Sequence, residues 1–336
     1  MNSALHRPTL TAKDTMKILL TTTSFQDTPG PHHDLLARSG FEVIRARGPL
    51  SEAQILELIR ENNGFDAFLN GDDRISAHVI DAAGDKLKVI AKYGIGLDSI
   101  DVAHASAKRI PVLFTPGVNH STVAEHTFGL MIALAKDFWI HASAVKSGQW
   151  TRRTGHELMG KTLGVLGLGR IGQEVVKRAN AFGMHCVAYG RSWPEAFAAD
   201  HSVERMESAE ALLRCSDVVS LHLSLDDANR GLINSRTLAL MKPGAYLINT
   251  ARGGLVVEAD VAQACRSGQL AGYATDVVDE EPMPPGHPFQ QIDTILVTPH
   301  IGSRTFESVE RQAVRAVTNL IEFLTGGQDF IQANRF

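Results

Sequence analysis

The chain has 336 residues, 44% hydrophobic and 21% charged, with a formal net charge of -4 at pH 7. That is an ordinary water-soluble composition, long enough for two domains with separate cores. The slight negative charge supplies no basic field for nucleic acid or an anionic membrane, and no apolar run approaches the roughly 20 residues of a membrane span.

Residues 1–16 begin MNSALHRPTLTAKDT, which lacks the apolar centre of a signal peptide, and read as a disordered leader. Short apolar, β-branched runs then alternate with helical spacing. Lys17-Ile-Leu-Leu-Thr-Thr-Thr, Asp66-Ala-Phe-Leu-Asn, Leu87-Lys-Val-Ile-Ala and Pro111-Val-Leu-Phe-Thr read as buried strands, with helices over Ser51 to Asn62 and Ser76 to Ala83. Continuous apolar strands are the mark of a parallel sheet covered on both faces, so the class is α/β, doubly wound. One long helical stretch runs from Ser121 to Ser147 and is closed by Gly148. A second strand series follows: Thr162-Leu-Gly-Val-Leu-Gly, His185-Cys-Val-Ala-Tyr, Val218-Val-Ser-Leu-His-Leu, Ala245-Tyr-Leu-Ile-Asn and Ile295-Leu-Val-Thr-Pro-His. The last helix, Ser303 to Leu324, takes Ser303 as its N-cap and ends at Gly326. A single helix cannot form a domain, so it is expected to return to the first one. The expected layout is a substrate domain of residues 17–114 and 302–336 with a nucleotide-binding domain of residues 115–301 inserted between them.

Cys186, Cys215 and Cys265 are few, odd in number and without metal-like spacing. This suits a reducing compartment, with the cytoplasm as the expected location, and no residue is assigned to a metal.

Gly167-Leu-Gly-Arg-Ile-Gly172 follows an apolar strand and opens a helix towards Phe182. In that context Gly167 permits the tight turn, Gly169 lets the backbone approach a pyrophosphate, and Gly172 lets helix and strand pack closely. The helix N-terminus then offers free N–H groups to the phosphates. At the end of the next strand an NAD site normally places an acid on the ribose hydroxyls. Here Gly190, Arg191 and Ser192 stand instead. Arginine can pair with a 2′-phosphate, so NADP is expected to be preferred over NAD; otherwise Arg191 is an ordinary solvated loop residue.

Three strings close the later strands: Asn249-Thr-Ala-Arg-Gly-Gly254, Asp276-Val-Val-Asp-Glu-Glu-Pro282 and Thr298-Pro-His-Ile-Gly-Ser303. Hydride addition to a ketone builds charge on oxygen and calls for a proton donor near neutral pH, the ordinary role of histidine. A carboxylate beside that histidine favours the imidazolium. A keto acid's carboxylate is matched by a planar, bidentate arginine.

With Gly167 to Gly172, these strings resemble the D-isomer-specific 2-hydroxyacid dehydrogenases, a family that includes D-3-phosphoglycerate dehydrogenases and glyoxylate/hydroxypyruvate reductases. The likeness runs from about Lys17 to Leu324. It implies a Rossmann cofactor domain inserted into a flavodoxin-like substrate domain. It also implies that Arg252 holds the substrate carboxylate and polarises the 2-oxo group, that His300 is the proton donor, and that Glu281 pairs with His300. On the cofactor side it implies that Asp276, Thr250, Ala251 and Gly302 line the nicotinamide, that Arg170 and Ile171 meet the pyrophosphate, and that Leu223 passes the adenosine. Ser224 departs from the family's more frequent proline.

Lys92-Tyr-Gly-Ile-Gly-Leu-Asp-Ser-Ile-Asp101 resembles the family's substrate loop, which implies that the amides near Ile95 and Gly96 receive the carboxylate. Ser121-Thr-Val-Ala-Glu-His126 resembles the interdomain helix that usually mediates a two-fold dimer, so a homodimer is implied. Adjacent helix positions diverge, so Glu125 and His126 are read as structural. Phosphoglycerate enzymes of the family usually carry an arginine where Asn70 stands, and Asp72 and Asp73 would disfavour a phosphate. An end at Phe336 is also read as leaving no room for a regulatory domain. A short acid such as glyoxylate or hydroxypyruvate is therefore expected. The alternatives are a phosphoglycerate dehydrogenase-like enzyme and a nucleotide-binding corepressor without turnover. Formate dehydrogenase relatives carry glutamine where Glu281 stands.

Overall fold

The computed structural model describes residues 15–336, so most of the segment read as a leader lies outside the described residues. Met16 is already engaged, its carbonyl accepting from the Glu42 amide at 2.9 Å. The chain forms two compact units, one of residues up to Asn119 together with Arg304–Phe336, the other of His120–Ser303.

In the first unit, β1 (Lys17–Leu20), β2 (Glu42–Arg45), β3 (Ala67–Asn70), β4 (Val89–Lys92) and β5 (Val112–Leu113) form one parallel sheet. Their order is β2-β1-β3-β4-β5, the flavodoxin-like arrangement. The central strands β3 and β4 are buried at every position, as their unbroken apolar runs require. Between the strands lie α1 (Thr23–Asp27), α2 (Pro31–Arg38), α3 (Glu52–Glu61), α4 (Ala77–Ala83) and α5 (Val102–Ala107). Ser51 starts α3 with a capping box closed by Gln54, and Ser76 caps α4 through the Val79 amide.

The second unit opens with α6 (His120–Lys136) and α7 (Phe138–Lys146). The sequence reads one helix here, but the two are bent by 66°. The cause is tertiary. The Ala135 carbonyl accepts from the His156 amide at 2.7 Å instead of continuing the helix, and Asp137 turns left-handed at φ 51°. The strands are β6 (Thr162–Leu166), β7 (His185–Tyr189), β8 (Glu204–Arg205), β9 (Val218–Leu221), β10 (Ala245–Asn249), β11 (Leu270–Thr275) and β12 (Ile295–Val297). The helices between them are α8 (Arg170–Ala181), α9 (Glu195–Asp200), α10 (Ala209–Cys215), α11 (Ser235–Leu238) and α12 (Glu258–Ser267). All pairings are parallel, in the order β12-β11-β10-β9-β6-β7-β8. Within this unit that is the Rossmann order with one further strand, and its switch point lies between β6 and β9.

The chain then returns to the first unit as α13 (Phe306–Leu324). Its N-cap is Thr305, whose hydroxyl accepts the Ser308 amide, not the expected Ser303; Gly326 ends it at φ 78°. Ala313, Ala316, Val317 and Leu320 bury one face of α13 against Ile18, Leu20, Leu69 and Val89. Among the described residues no single helix is long and apolar enough to cross a membrane.

Candidate active site

The glycine loop sits at the switch point, where its conformation can be traced to contacts. Gly167 has φ 101°, and a Cβ there would lie 2.4 Å from the His222 carbonyl oxygen. At Gly172 a Cβ would meet the Gly167 oxygen at 2.2 Å, so helix α8 and strand β6 approach closely only without a side chain. At Gly169 nothing lies within 4 Å of the Cβ position, which leaves room for a pyrophosphate against the α8 N-terminus. No side chain caps that terminus. These residues therefore fit a dinucleotide. Leu223 follows β9 beside them, its Cδ2 3.2 Å from the Gly167 Cβ position.

At the end of β7, Gly190 lies against the same loop, 3.5 Å from the Leu168 nitrogen as measured from its Cβ position. Arg191 points outward, 85% exposed, and pairs with Asp226 at 3.2 Å. Asp226 belongs to the loop after β9 and was not anticipated as its partner. Ser192 is exposed.

Three loops beyond the carboxyl ends of β10, β11 and β12 bring the later strings together. After β10, the buried Asn249 side chain accepts from the Ala251 amide and donates to the Arg252 carbonyl, fixing the turn that presents Arg252. Arg252 itself donates to the Ala251 carbonyl at 2.6 Å. Gly253 then presses on the loop after β11: a Cβ there would lie 2.1 Å from the Val278 carbonyl carbon and 2.4 Å from the Asp279 nitrogen. That second loop carries Glu281, one oxygen of which accepts the Val278 amide while the other lies 2.7 Å from His300 Nδ1. Glu258, at the start of α12, accepts from the Asp279 amide and from His287, anchoring the same loop. His300 has φ 52°, a left-handed conformation that non-glycine residues adopt only when held there. Its amide donates to the Asp276 and Thr298 carbonyls. Both His300 and Glu281 are partly exposed, at 38% and 36%.

Asp276 is almost wholly buried and acts as a clamp. Its carboxylate accepts from Thr298 Oγ1 at 2.6 Å, the Ile301 amide at 2.9 Å and the Gly302 amide at 2.7 Å. His126 Nε2 lies 3.3 Å from the same carboxylate and 2.9 Å from Thr298 Oγ1. Burial pushes the Asp276 carboxyl up, but the hydrogen bonds from His126, Thr298 and Ile301 outweigh it and hold the group below the ordinary carboxylate range. Thr250 Oγ1 lies 2.8 Å from Thr127 Oγ1. His126, Thr127 and Thr298 were not singled out as site residues by the sequence. His222, half-buried and against Ser220 after β9, is pushed down to about 3 by desolvation and is neutral at physiological pH.

In the first unit, the Lys92–Leu97 segment leaves β4 at the carboxyl edge of its sheet. Gly94 has φ 132° and its amide donates to Thr115. Among the described residues, the Ile95 and Gly96 amides have no acceptor, as an anion-receiving turn requires. The two acids of the β3 loop are both engaged. Asp73 is buried and receives the Leu50 and Gly71 amides, and Asp72 lies 2.7 Å from the buried Lys92 ammonium. The expected repulsion of phosphate by these acids is thus blunted by Lys92.

A glycine loop at a Rossmann switch point, with an arginine and a paired histidine and carboxylate in loops of the same unit, defines a nicotinamide-nucleotide oxidoreductase. Residues 128–302 match the family described as D-isomer specific 2-hydroxyacid dehydrogenase, NAD binding domain. The chain is 39% identical over 288 residues to a glyoxylate reductase of Thermofilum pendens, covering 83% of each chain. It is 38% identical to a D-3-phosphoglycerate dehydrogenase of Methanocaldococcus jannaschii, covering 85% of this chain but 54% of that one. The crystal structure of the TT0316 protein from Thermus thermophilus superposes with a TM-score of 0.84 at 38% identity, over 95% of this chain and all of that one. The chain belongs to the D-isomer-specific 2-hydroxyacid dehydrogenases, NAD(P)-dependent enzymes.

Proposed function

We propose that this enzyme is a glyoxylate/hydroxypyruvate-type reductase that prefers NADPH, works on short unphosphorylated 2-keto acids or the matching D-2-hydroxy acids, and is a cytoplasmic homodimer. The observation that carries the reading is the 2.7 Å contact between His300 Nδ1 and Glu281. With Nδ1 on the carboxylate, the other ring nitrogen is the proton donor to the 2-oxo group and takes the proton back in oxidation. Arg252 holds the substrate carboxylate by its fork and polarises the oxygen, with the Ile95 and Gly96 amides as further receivers. Thr250, Ala251, Asp276 and Gly302 line the nicotinamide. Gly167, Gly169, Gly172, Arg170 and Ile171 receive the pyrophosphate, and Leu223 flanks the adenosine. A bound nicotinamide supplies or removes the hydride at C2.

The likeness to the Thermofilum pendens glyoxylate reductase and the asparagine at position 70 both favour a substrate without phosphate. For cofactor choice two magnitudes compete. The Arg191–Asp226 pair is exposed, and such pairs are worth about 0–1 kcal/mol. A hydrogen bond to a charged group contributes about 1.5–3 kcal/mol. The difference favours a 2′-phosphate on Arg191, giving NADPH an advantage of roughly 2- to 150-fold. The dimer reading rests on apolar side chains left exposed in the second unit, Phe138, Val145, Trp150, Met159 and Phe182, and on α7, which buries no residue. The cytoplasmic reading rests on three free cysteines.

The test is a panel of glyoxylate, hydroxypyruvate, pyruvate and 3-phosphohydroxypyruvate with NADPH and NADH, following loss of the reduced nicotinamide. Glyoxylate or hydroxypyruvate should give the highest kcat/KM, with NADPH ahead and Arg191→Ala near parity. Cofactor that binds but is never consumed would overturn the assignment. A silent Arg191→Ala with NADH ahead would overturn the cofactor preference alone.

A further inference from the structure

His126 and Thr127 are consecutive on α6 and therefore reach different loops, and the proton inventory of their contacts is restrictive. Thr127 gives its one hydroxyl proton to the Val123 carbonyl at 2.8 Å, so the contact with Thr250 is donated by Thr250. Thr298 gives its proton to Asp276 at 2.6 Å, closer than its alternative acceptor, the Thr275 carbonyl at 3.5 Å. Its oxygen can then only accept from His126, which fixes the hydrogen on Nε2, aimed between Thr298 and the Asp276 carboxylate. The same carboxylate holds the amides of Ile301 and Gly302, the two residues that follow His300 in its left-handed conformation.

We infer that His126 is a positioning residue for His300: its Nε2–H braces Thr298 and Asp276, and through them the 298–302 turn. This rests on His300 being the proton donor. Gly302 completes the packing, because a Cβ there would lie 2.8 Å from Asp276 and 3.4 Å from the His126 ring. Without the brace, Thr298 loses its donor, the buried carboxylate loses the Nε2–H beside it, and the turn can relax. A shift of about 1 Å at a reacting group commonly costs up to a hundredfold in rate.

The test compares His126→Leu, which keeps bulk without a donor, with His126→Gln, whose amide nitrogen reaches the Nε2 position. In His126→Leu, kcat should fall about tenfold to a hundredfold, with KM for the keto acid changed less than about threefold. His126→Gln should recover to within about threefold of the parent. Thr298→Val cuts the same link from the other side; it should reproduce the loss and add little to it in the double variant. It carries the test if His126→Leu does not fold. Amide hydrogen exchange at residues 300–302, read without substrate, should speed up in His126→Leu and not in His126→Gln. That measurement decides the brace even if the parent turns over no keto acid. Unchanged kcat, equal loss in both His126 variants tracking a fall in Tm, additive effects in the double variant, or unchanged exchange would each overturn the inference.

Discussion

Gly253→Ala is a sharp perturbation because the added methyl has nowhere to go. The new Cβ would stand 2.1 Å from the Val278 carbonyl carbon and 2.2 Å from its oxygen, where real Cβ contacts under 3.0 Å are essentially never seen. The obstacle is backbone, so a rotamer change cannot relieve it. One of the two loops must retreat by about 0.9 Å merely to reach that limit, and by more to reach ordinary contact. Arg252 lies on one loop and Glu281 on the other, with His300 held against Glu281, so the retreat separates Arg252 from the Glu281–His300 pair. Overpacking of this kind destabilises by about 1–3 kcal/mol, and a displacement near 1 Å costs up to about a hundredfold in kcat/KM. Steady-state kinetics and a thermal melt, on the same preparation, separate the two effects. A Gly253→Ala protein that melts and turns over like the parent would refute the claim that these loops are set by contact at this glycine.

His300→Gln should bind the reduced cofactor normally but lose about 10²–10⁴-fold in kcat; a rate within a few-fold of the parent would remove His300 from the chemistry. Asp276→Asn probes pH dependence. A carboxyl held below its ordinary range contributes stability that is full above about pH 4 and is lost as pH falls through the lower folded value. Melting curves from pH 6 downward should therefore show the parent losing Tm more steeply below about pH 4 than Asp276→Asn. Parallel curves would show that the carboxylate does not titrate as a clamp.

What the sequence revealed was whatever is decided locally. The glycine loop is legible because a tight turn, a close approach and a helix start each demand a residue type within six positions. The parallel, doubly wound class follows from strands too apolar to face water, whereas the flavodoxin-like and Rossmann orders were implied by the family resemblance. What it hid depends on partners far along the chain. His126 meets Thr298 across 172 positions, and nothing in Ala-Glu-His-Thr announces which loop that ring will brace. The break between α6 and α7 comes from the His156 amide taking the Ala135 carbonyl, a contact no helical periodicity contains. Likewise Asp72 looked like a free acid until Lys92, twenty positions on, proved to be its partner. The same holds for Arg191, read as free to meet a phosphate while Asp226 waits beside it.

The return of α13 to the first unit has a consequence for how the molecule is made. The sheet of β1 to β5 is complete once Asn119 has been synthesised, yet the helix that covers Ile18, Leu20, Leu69 and Val89 ends only at Leu324. Asn319 of that helix also supplies the donor for the Phe114 carbonyl. At about 5–20 residues per second, the interval is on the order of 10–40 s. For that time a nascent chain carries one finished face and one apolar face covered only by α1 and α2, while the continuous second unit emerges with every strand it needs. Ribosome-bound chains arrested before residue 304 should therefore recruit holdase chaperones, and release should follow the emergence of α13.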